Sequence, residues 1–513
     1  MQTTRLWAVG TAMALALAPP LFARERPDPA QAEAVTTVTD LPTALEQAYE
    51  RNPALLAERS RLKATDEQVA QARSQYGPQL NITGSYGYNY TKYETSNFLG
   101  QPLTETSRGW SGTVSAILDQ PVFTFGRLAW NERQALGNVD FQRERLRLIE
   151  MQTIRDTIEG YLGVRRDSAQ LGIAQENLAL LDRQFSENSE RFVYREVTRN
   201  DLDQVTTRLE QARATLESAR GALGRSEARF VQVIGANAGE LAVLPDLPGL
   251  PQTLEDALVA AETLSPVIRA AQAREKISHS ALNGARADLL PSVSTRGVAT
   301  YGRVSNLDPS RYQQELRGDV TVTVPLWDSR RNYSRIREAK DANDADWRLI
   351  DQAFRDVRAD VTGNWAQLNA SRAAIRRLEA AVAAAQSTYD SSVIQQRAGA
   401  RSTSDVLDLA RDLLNAKASL LNARSDEYLA RAALLLAMGK LGLGDLDPNA
   451  ELYDPEKHYY KVDDSGDTPP FNYIPATLDR NFALPKPVER DPRETAPPVQ
   501  PSEPLEPEPT EAP

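Results

Sequence analysis

Residues 80–93 read LNITGSYGYNYTKY. The even positions are Leu80, Ile82, Gly84, Tyr86, Tyr88 and Tyr90, and the odd ones Asn81, Thr83, Ser85, Gly87, Asn89 and Thr91. Successive side chains of a strand point to opposite faces, so this stretch predicts a strand with one apolar, aromatic face and one small, polar face. A second run, Trp110, Gly112, Val114, Ala116 and Leu118, continues the pattern. A third sets Leu316, Gly318, Val320, Val322 and Val324 against Arg317, Asp319, Thr321 and Thr323. The segment after Pro291 is less regular, because Arg296 and Val298 share a face. Almost all the rest of the chain has helical spacing.

The bulk composition narrows the setting. The chain has 513 residues, 41% hydrophobic, with a net charge of −11, which argues against a nucleic-acid partner. It has no cysteine, so disulfides, thiolate catalysis and cysteine-bound metals are excluded. The two histidines, His279 and His458, lie far apart, and no nucleophile–base pair, phosphate loop or metal cluster is visible. No enzyme, cofactor or metal is expected. Arg5, the apolar run Leu6–Ala18 and the small residue Ala23 read as a secretory signal over 1–23. No other stretch reaches the ~20 apolar residues of a spanning helix, so entry into a membrane would have to be by strands.

The chain repeats itself. "QPVFTFGR" (Pro121, Phe123, Arg127) aligns with "VPLWDSRR" (Pro325, Trp327, Arg331). The register then holds without a gap at an offset of about 204, placing Tyr161 on Trp365, Asp201 on Asp405 and Gly235 on Gly439. Each copy reads helix, strand, strand, long helix, turn, helix. The expected organisation is a signal (1–23), a linker (24–40), a first repeat (41–235), a connector (236–252), a second repeat (253–440), an equatorial segment (441–460) and a disordered Pro/Glu-rich tail (461–513). Within the repeats, helices are expected over 43–77, 127–194, 200–234, 331–396 and 404–438, and strands over about 80–93, 109–119, 292–302 and 315–324. The helix of about 68 residues over 127–194 would span roughly 100 Å. Leu202, Val205, Leu209, Ala212, Leu216, Ala219 and Leu223 alternate apolar positions as in a coiled-coil seam.

Strands of about ten residues cross a bilayer when tilted. Four cannot close a barrel, and an open sheet edge in lipid leaves backbone groups unpaired. Spanning strands must therefore be pooled among chains: two chains give about eight, and three about twelve with an aqueous lumen. The fold class expected is mainly α with membrane β strands: a duplicated unit, a barrel shared between two or three chains and an extended helical wall.

The duplication, the Asn52–Pro53 pair, "DQPVFTFGR" and the turn "GARSTSDVLDL" at 399–409 together resemble the TolC-like outer-membrane factors over about residues 40–442. That resemblance implies a homotrimer with a twelve-stranded barrel in outer-membrane lipid above a periplasmic tunnel. It implies docking of a periplasmic adaptor and an inner-membrane pump of ABC or RND type, in drug efflux or type I protein secretion. It places a gate at the lower turns, with Arg401, Asp405 and Asp408 in the second copy and Asp201, bonding to the neighbouring turn, in the first. Gly399, Ser402, Arg195 and Thr198 would form the turns and the adaptor contact. Arg195 stands where the family has glycine, and Gln396 replaces a frequent aromatic. Asp405 and Asp408 lie one helical step apart, so both can face a pore. The plainer reading of these carboxylates is helix N-terminal capping. The competing function is a periplasmic coiled-coil scaffold or adaptor, with its strands in a soluble domain.

Overall fold

The structure, a computed structural model, describes residues 37–96, 98–303, 312–398 and 400–483. The expected signal, most of the linker, Gly399 and residues 484–513 lie outside the described residues.

The chain begins with β1 (Thr37–Val38), α1 (Leu41–Arg51) and α2 (Pro53–Ser74). One helix is expected over 43–77, but the chain forms two. Pro53 has no N–H to donate and biases the residue before it away from helical backbone. Asn52 accordingly turns extended (ψ 119°), and its side chain caps the N–H groups of Ala54 and Leu55. The second copy breaks the same way at Ser265–Pro266, between α5 (Leu254–Leu264) and α6 (Pro266–Ala287).

The strands are β2 (Gln79–Ser96) and β3 (Pro102–Phe123), then β5 (Ser292–Arg303) and β6 (Gln313–Thr323), with the short β4 (Asn237–Ala238) between them. β2 and β3 are longer than expected, because residues 95, 96 and 102–107, read as a polar loop, are paired strand. The four long strands form one antiparallel sheet, β2–β3–β5–β6, leaving β2 and β6 as edges. β1 and β4 pair separately in parallel.

The sheet register carries the alternation across the strands. Leu80 faces Leu118, Tyr88 faces Trp110, Val114 faces Tyr301 and Ala299 faces Leu316, so one face is continuously apolar. No described residue covers it: Ile82 is 73% exposed, Tyr86 74% and Leu316 88%. The outer end carries stacked aromatics, Tyr86 on Trp110 and Tyr301 on Tyr312. The opposite face is knit by polar bonds, Ser85–Thr113 at 2.7 Å, Asn89–Ser111 at 2.8 Å and Ser115–Thr300 at 3.0 Å. Arg296 lies on this polar face, paired across the strand with Asp119 at 2.6 Å, so the residue that breaks the alternation is Val298.

Below the sheet run α3 (Arg127–Val193), α4 (Arg199–Ile234), α7 (Arg331–Arg397) and α8 (Thr403–Ala437). The two 67-residue helices each span roughly 100 Å. α4 and α8 stop at equivalent glycines, Gly235 (φ 79°) and Gly439 (φ 74°). A Cβ on Gly439 would lie 2.6 Å from the Leu264 carbonyl oxygen, so only glycine fits that stop. The largest core sits at mid-height, where Leu55, Leu62, Ile154, Ile158, Phe230 and Leu435 converge. There the Tyr161 hydroxyl donates to the carbonyls of Thr39 (3.2 Å) and Ala242 (3.0 Å), which ties the connector to the helices.

The segment expected to be disordered from 461 is folded as far as 483. After α9 (Leu443–Leu446), α10 (Lys457–Val462) packs on α2, and α11 (Tyr473–Phe482) packs on α3 and β3. The strap these segments form runs from mid-height to the base of the sheet. It is ordered by partners far away in sequence. Asp479, 1% exposed, accepts from the N–H groups of Thr124 (2.7 Å) and Gly126 (3.4 Å) and from the Thr124 hydroxyl.

Candidate functional site at the helix turns

Both repeats end away from the sheet in a tight turn between their long helices. In the first, Arg195 adopts left-handed backbone (φ 62°), and the Glu196 N–H reaches back to the Arg191 carbonyl at 2.9 Å. A non-glycine residue there costs roughly 1 kcal/mol. The turn thus keeps its shape without the glycine that the resemblance leads one to expect. In the second, the Ala400 N–H makes the equivalent bond to the Gln395 carbonyl at 2.9 Å.

Each turn is followed by a helix cap. The Thr198 N–H donates to the Asp201 carboxylate at 2.9 Å, and the Asp201 N–H donates to the Thr198 hydroxyl at 3.3 Å, a reciprocal capping box. The Thr198 hydroxyl and N–H hold the Asp201 carboxyl below its usual pKa. The bonds described for the Asp201 carboxylate are those to Thr198 of its own turn. In the second copy the Ser402 hydroxyl accepts from the Asp405 N–H at 3.2 Å, and Gln396 donates to the Thr403 hydroxyl at 3.1 Å. Asp405 and Arg401 are exposed.

Asp408 has a different partner. It pairs with Arg208 of α4 at 3.0 Å and with Arg411 of its own helix at 3.6 Å. The Arg208–Asp408 pair joins the two repeats just above the tips. Sequence reading missed Arg208. Its signal was its place beside the seam residues Val205 and Leu209, which pack with Leu407, Asp408's neighbour, in one small cluster with Leu181 and Ala212. A cavity of about 260 Å³ opens beside the pair, lined by Leu181, Arg208, Ala212, Leu407 and Arg411 among others. Arg401, Asp405 and Asp201 do not join this ion pair. Among the described residues no group of His, Asp or Glu is placed to hold a metal ion. Nor is any helix among them long and apolar enough to cross a membrane.

The outer membrane efflux protein family matches residues 44–236 and 257–440, one repeat each. The chain is 29% identical over 422 residues to outer membrane efflux protein BepC of Brucella suis, covering 82% of this chain and 90% of that one. It is 25% identical to outer membrane protein TolC of Vibrio cholerae, covering 79% and 92%. The crystal structure of the Campylobacter jejuni CmeC outer membrane channel superimposes with a TM-score of 0.70 at 15% identity, over 82% of this chain and 89% of that one.

Proposed function

Since this chain belongs to the outer membrane efflux protein family and is an outer-membrane channel rather than an enzyme, we propose that three copies pool their sheets into one barrel. In that arrangement β6 of one copy pairs with β2 of the next, which removes both open edges. About twelve strands enclose an aqueous lumen, and the four long helices of each copy continue it as a tunnel into the periplasm. Cargo of an efflux pump or a type I secretion system leaves without chemical change. An inner-membrane pump supplies the energy, and a periplasmic adaptor docks at the lower turns, around Arg195, Thr198, Gly399 and Ser402.

The observation that carries this reading is an apolar sheet face that no described residue covers, bounded by two edges that no described strand pairs. A soluble scaffold would leave such a face in water. The gate is assigned to Asp405, Asp408, Arg401 and Asp201, with Arg208 added as the residue that holds Asp408. Opening moves α8 away from α4 and breaks the Arg208–Asp408 pair. Reconstituted in planar bilayers, the purified protein should give discrete channels, and Asp405→Ala with Asp408→Ala should raise conductance and weaken block by cations. A protein that stays monomeric in water without detergent, or that makes no channel, overturns the reading.

A further inference from the structure

The last described helix, α11, has no counterpart in the residues matched by the family, which end at 440. It is amphipathic in an unusual place. Pro475, Ala476 and Asp479 are buried against the protein. Phe471, Ile474, Leu478 and Phe482, spaced three, four and four, form a stripe beside that buried face, and Phe471, Ile474 and Phe482 are each 62% exposed. Thr477, Arg480 and Asn481 are exposed on the other flank.

Two contacts fix the level and side of this stripe. A shift of register between Pro121 and Phe123 puts Phe123 opposite Val293, which lies opposite Val322 on the apolar face. The bulge thus turns Phe123 outward, and its ring packs against Phe482 at 5.2 Å between centroids. Gln120, which alternates with Leu118 on the same outer face, donates to the Phe471 carbonyl at 3.4 Å and the Tyr76 carbonyl at 2.8 Å. Both ends of α11 therefore adjoin the outward face of the barrel at its periplasmic rim. The apolar stripe continues the lipid-facing surface of the strands.

We propose that α11 lies in the plane of the membrane, with Phe471, Ile474, Leu478 and Phe482 inserted at the headgroup–acyl boundary of the periplasmic leaflet. The chemistry matches an interfacial helix: a narrow apolar stripe, a polar flank toward water and an aromatic at each end. Asp479 and Arg480 clamp the helix to the barrel base, so insertion would fix the height of the barrel in the bilayer. This rests on the reading of the apolar sheet face as lipid-facing.

The absence of native cysteine permits a direct test. Single variants Ile474→Cys, Leu478→Cys and Phe482→Cys of the full chain, each carrying a nitroxide, are reconstituted in phosphatidylethanolamine–phosphatidylglycerol vesicles. Collision with dissolved oxygen is compared with collision with a water-soluble nickel chelate, and Lys461→Cys serves as the aqueous reference. Insertion predicts oxygen access and at least a several-fold loss of nickel access at all three positions relative to 461. Nickel access equal to the reference overturns the proposal. So does shielding from both quenchers, which would mean that a neighbouring copy or partner protein covers the stripe. Channel conductance recorded on the same labelled samples separates the two readings: persistent channels with a water-exposed α11 would remove the anchor and leave the duct intact.

Discussion

Glu132, at the junction of strands and helices, is 6% exposed and takes hydrogen bonds from Arg73 at 3.0 Å, Arg480 at 2.6 Å and the Tyr76 hydroxyl at 3.3 Å. Asp408, at the opposite end, is 45% exposed and meets Arg208 across one contact of 3.0 Å. Both are carboxylates between arginines, but their settings differ. Around Glu132 the network is multiply bonded and extended by Arg73 to Asp463 at 2.6 Å, and although Arg480 is half exposed, losing Glu132 leaves the buried Tyr76 hydroxyl and Arg73 short of a partner away from water. Around Asp408 water replaces a lost partner at little cost. The upper end is built to hold the barrel on the tunnel. The lower end holds its helices with an exposed tie that water can replace, which fits the gate proposed there.

The largest effect should therefore come from the upper end. Glu132→Ala leaves the buried Tyr76 hydroxyl without its acceptor and Arg73 with Asp463 as its remaining partner, at a cost of about 3 kcal/mol. A lower unfolding temperature together with protease cleavage within 463–483 is expected. Unchanged melting would mean that the strap is not held by this network. Next comes Gly466→Ala. A Cβ at 466 would sit 2.1 Å from the Ala70 carbonyl oxygen, and backbone cannot yield as a side chain can. Displacing the strap there costs about 1–3 kcal/mol. Limited proteolysis should cut the variant faster than wild type, while channel formation persists.

At the lower end the expected energies are smaller and depend on salt. A double-mutant cycle over Arg208→Ala and Asp408→Ala should give a coupling of at most about 1 kcal/mol, because both side chains are partly exposed. The coupling should shrink as ionic strength rises. Each single change should raise conductance in low salt. A coupling of several kcal/mol, insensitive to salt, would make the gate as rigid as the junction and erase the contrast.

How far each region was legible in the sequence follows the same division. The strands were legible because the alternation from Leu80 to Tyr90 is local and one register carries it across the sheet. The long helices were legible because Gly235 and Gly439 punctuate two copies of one pattern. The strap was not. Its order comes from contacts such as Thr124–Asp479, 355 residues apart, and its longest helix has ten residues, too few to show a period among prolines and aspartates. Arg208 was missed for a related reason: its partner lies in the other repeat, and alignment of the copies places Arg208 on Asp412, not on Asp408. Asp201 was identified as a polar residue of the turn with an implied bond to the neighbouring turn; its bond back to Thr198 three residues earlier was legible only as the plainer capping reading.

That last residue gives the finest test of the contrast, because its exposed cap can be followed amide by amide. The Thr198 hydroxyl and N–H bind the charged Asp201 carboxylate and lower its pKa from the ordinary 3.8. A carboxyl whose folded pKa is depressed adds stability above its unfolded value and loses it as pH falls through the folded one. The first turn should then stay capped at neutral pH and loosen below about pH 4. Hydrogen-exchange protection at residues 198–202, corrected for intrinsic rates, should fall in that window in wild type. In Asp201→Ala it should already be low at pH 7 and stay flat. A wild-type turn that keeps full protection well below the window would show that the carboxylate is not what holds the tip, and the low-stability end of the comparison would have to be sought at Ser402 and Asp408 alone.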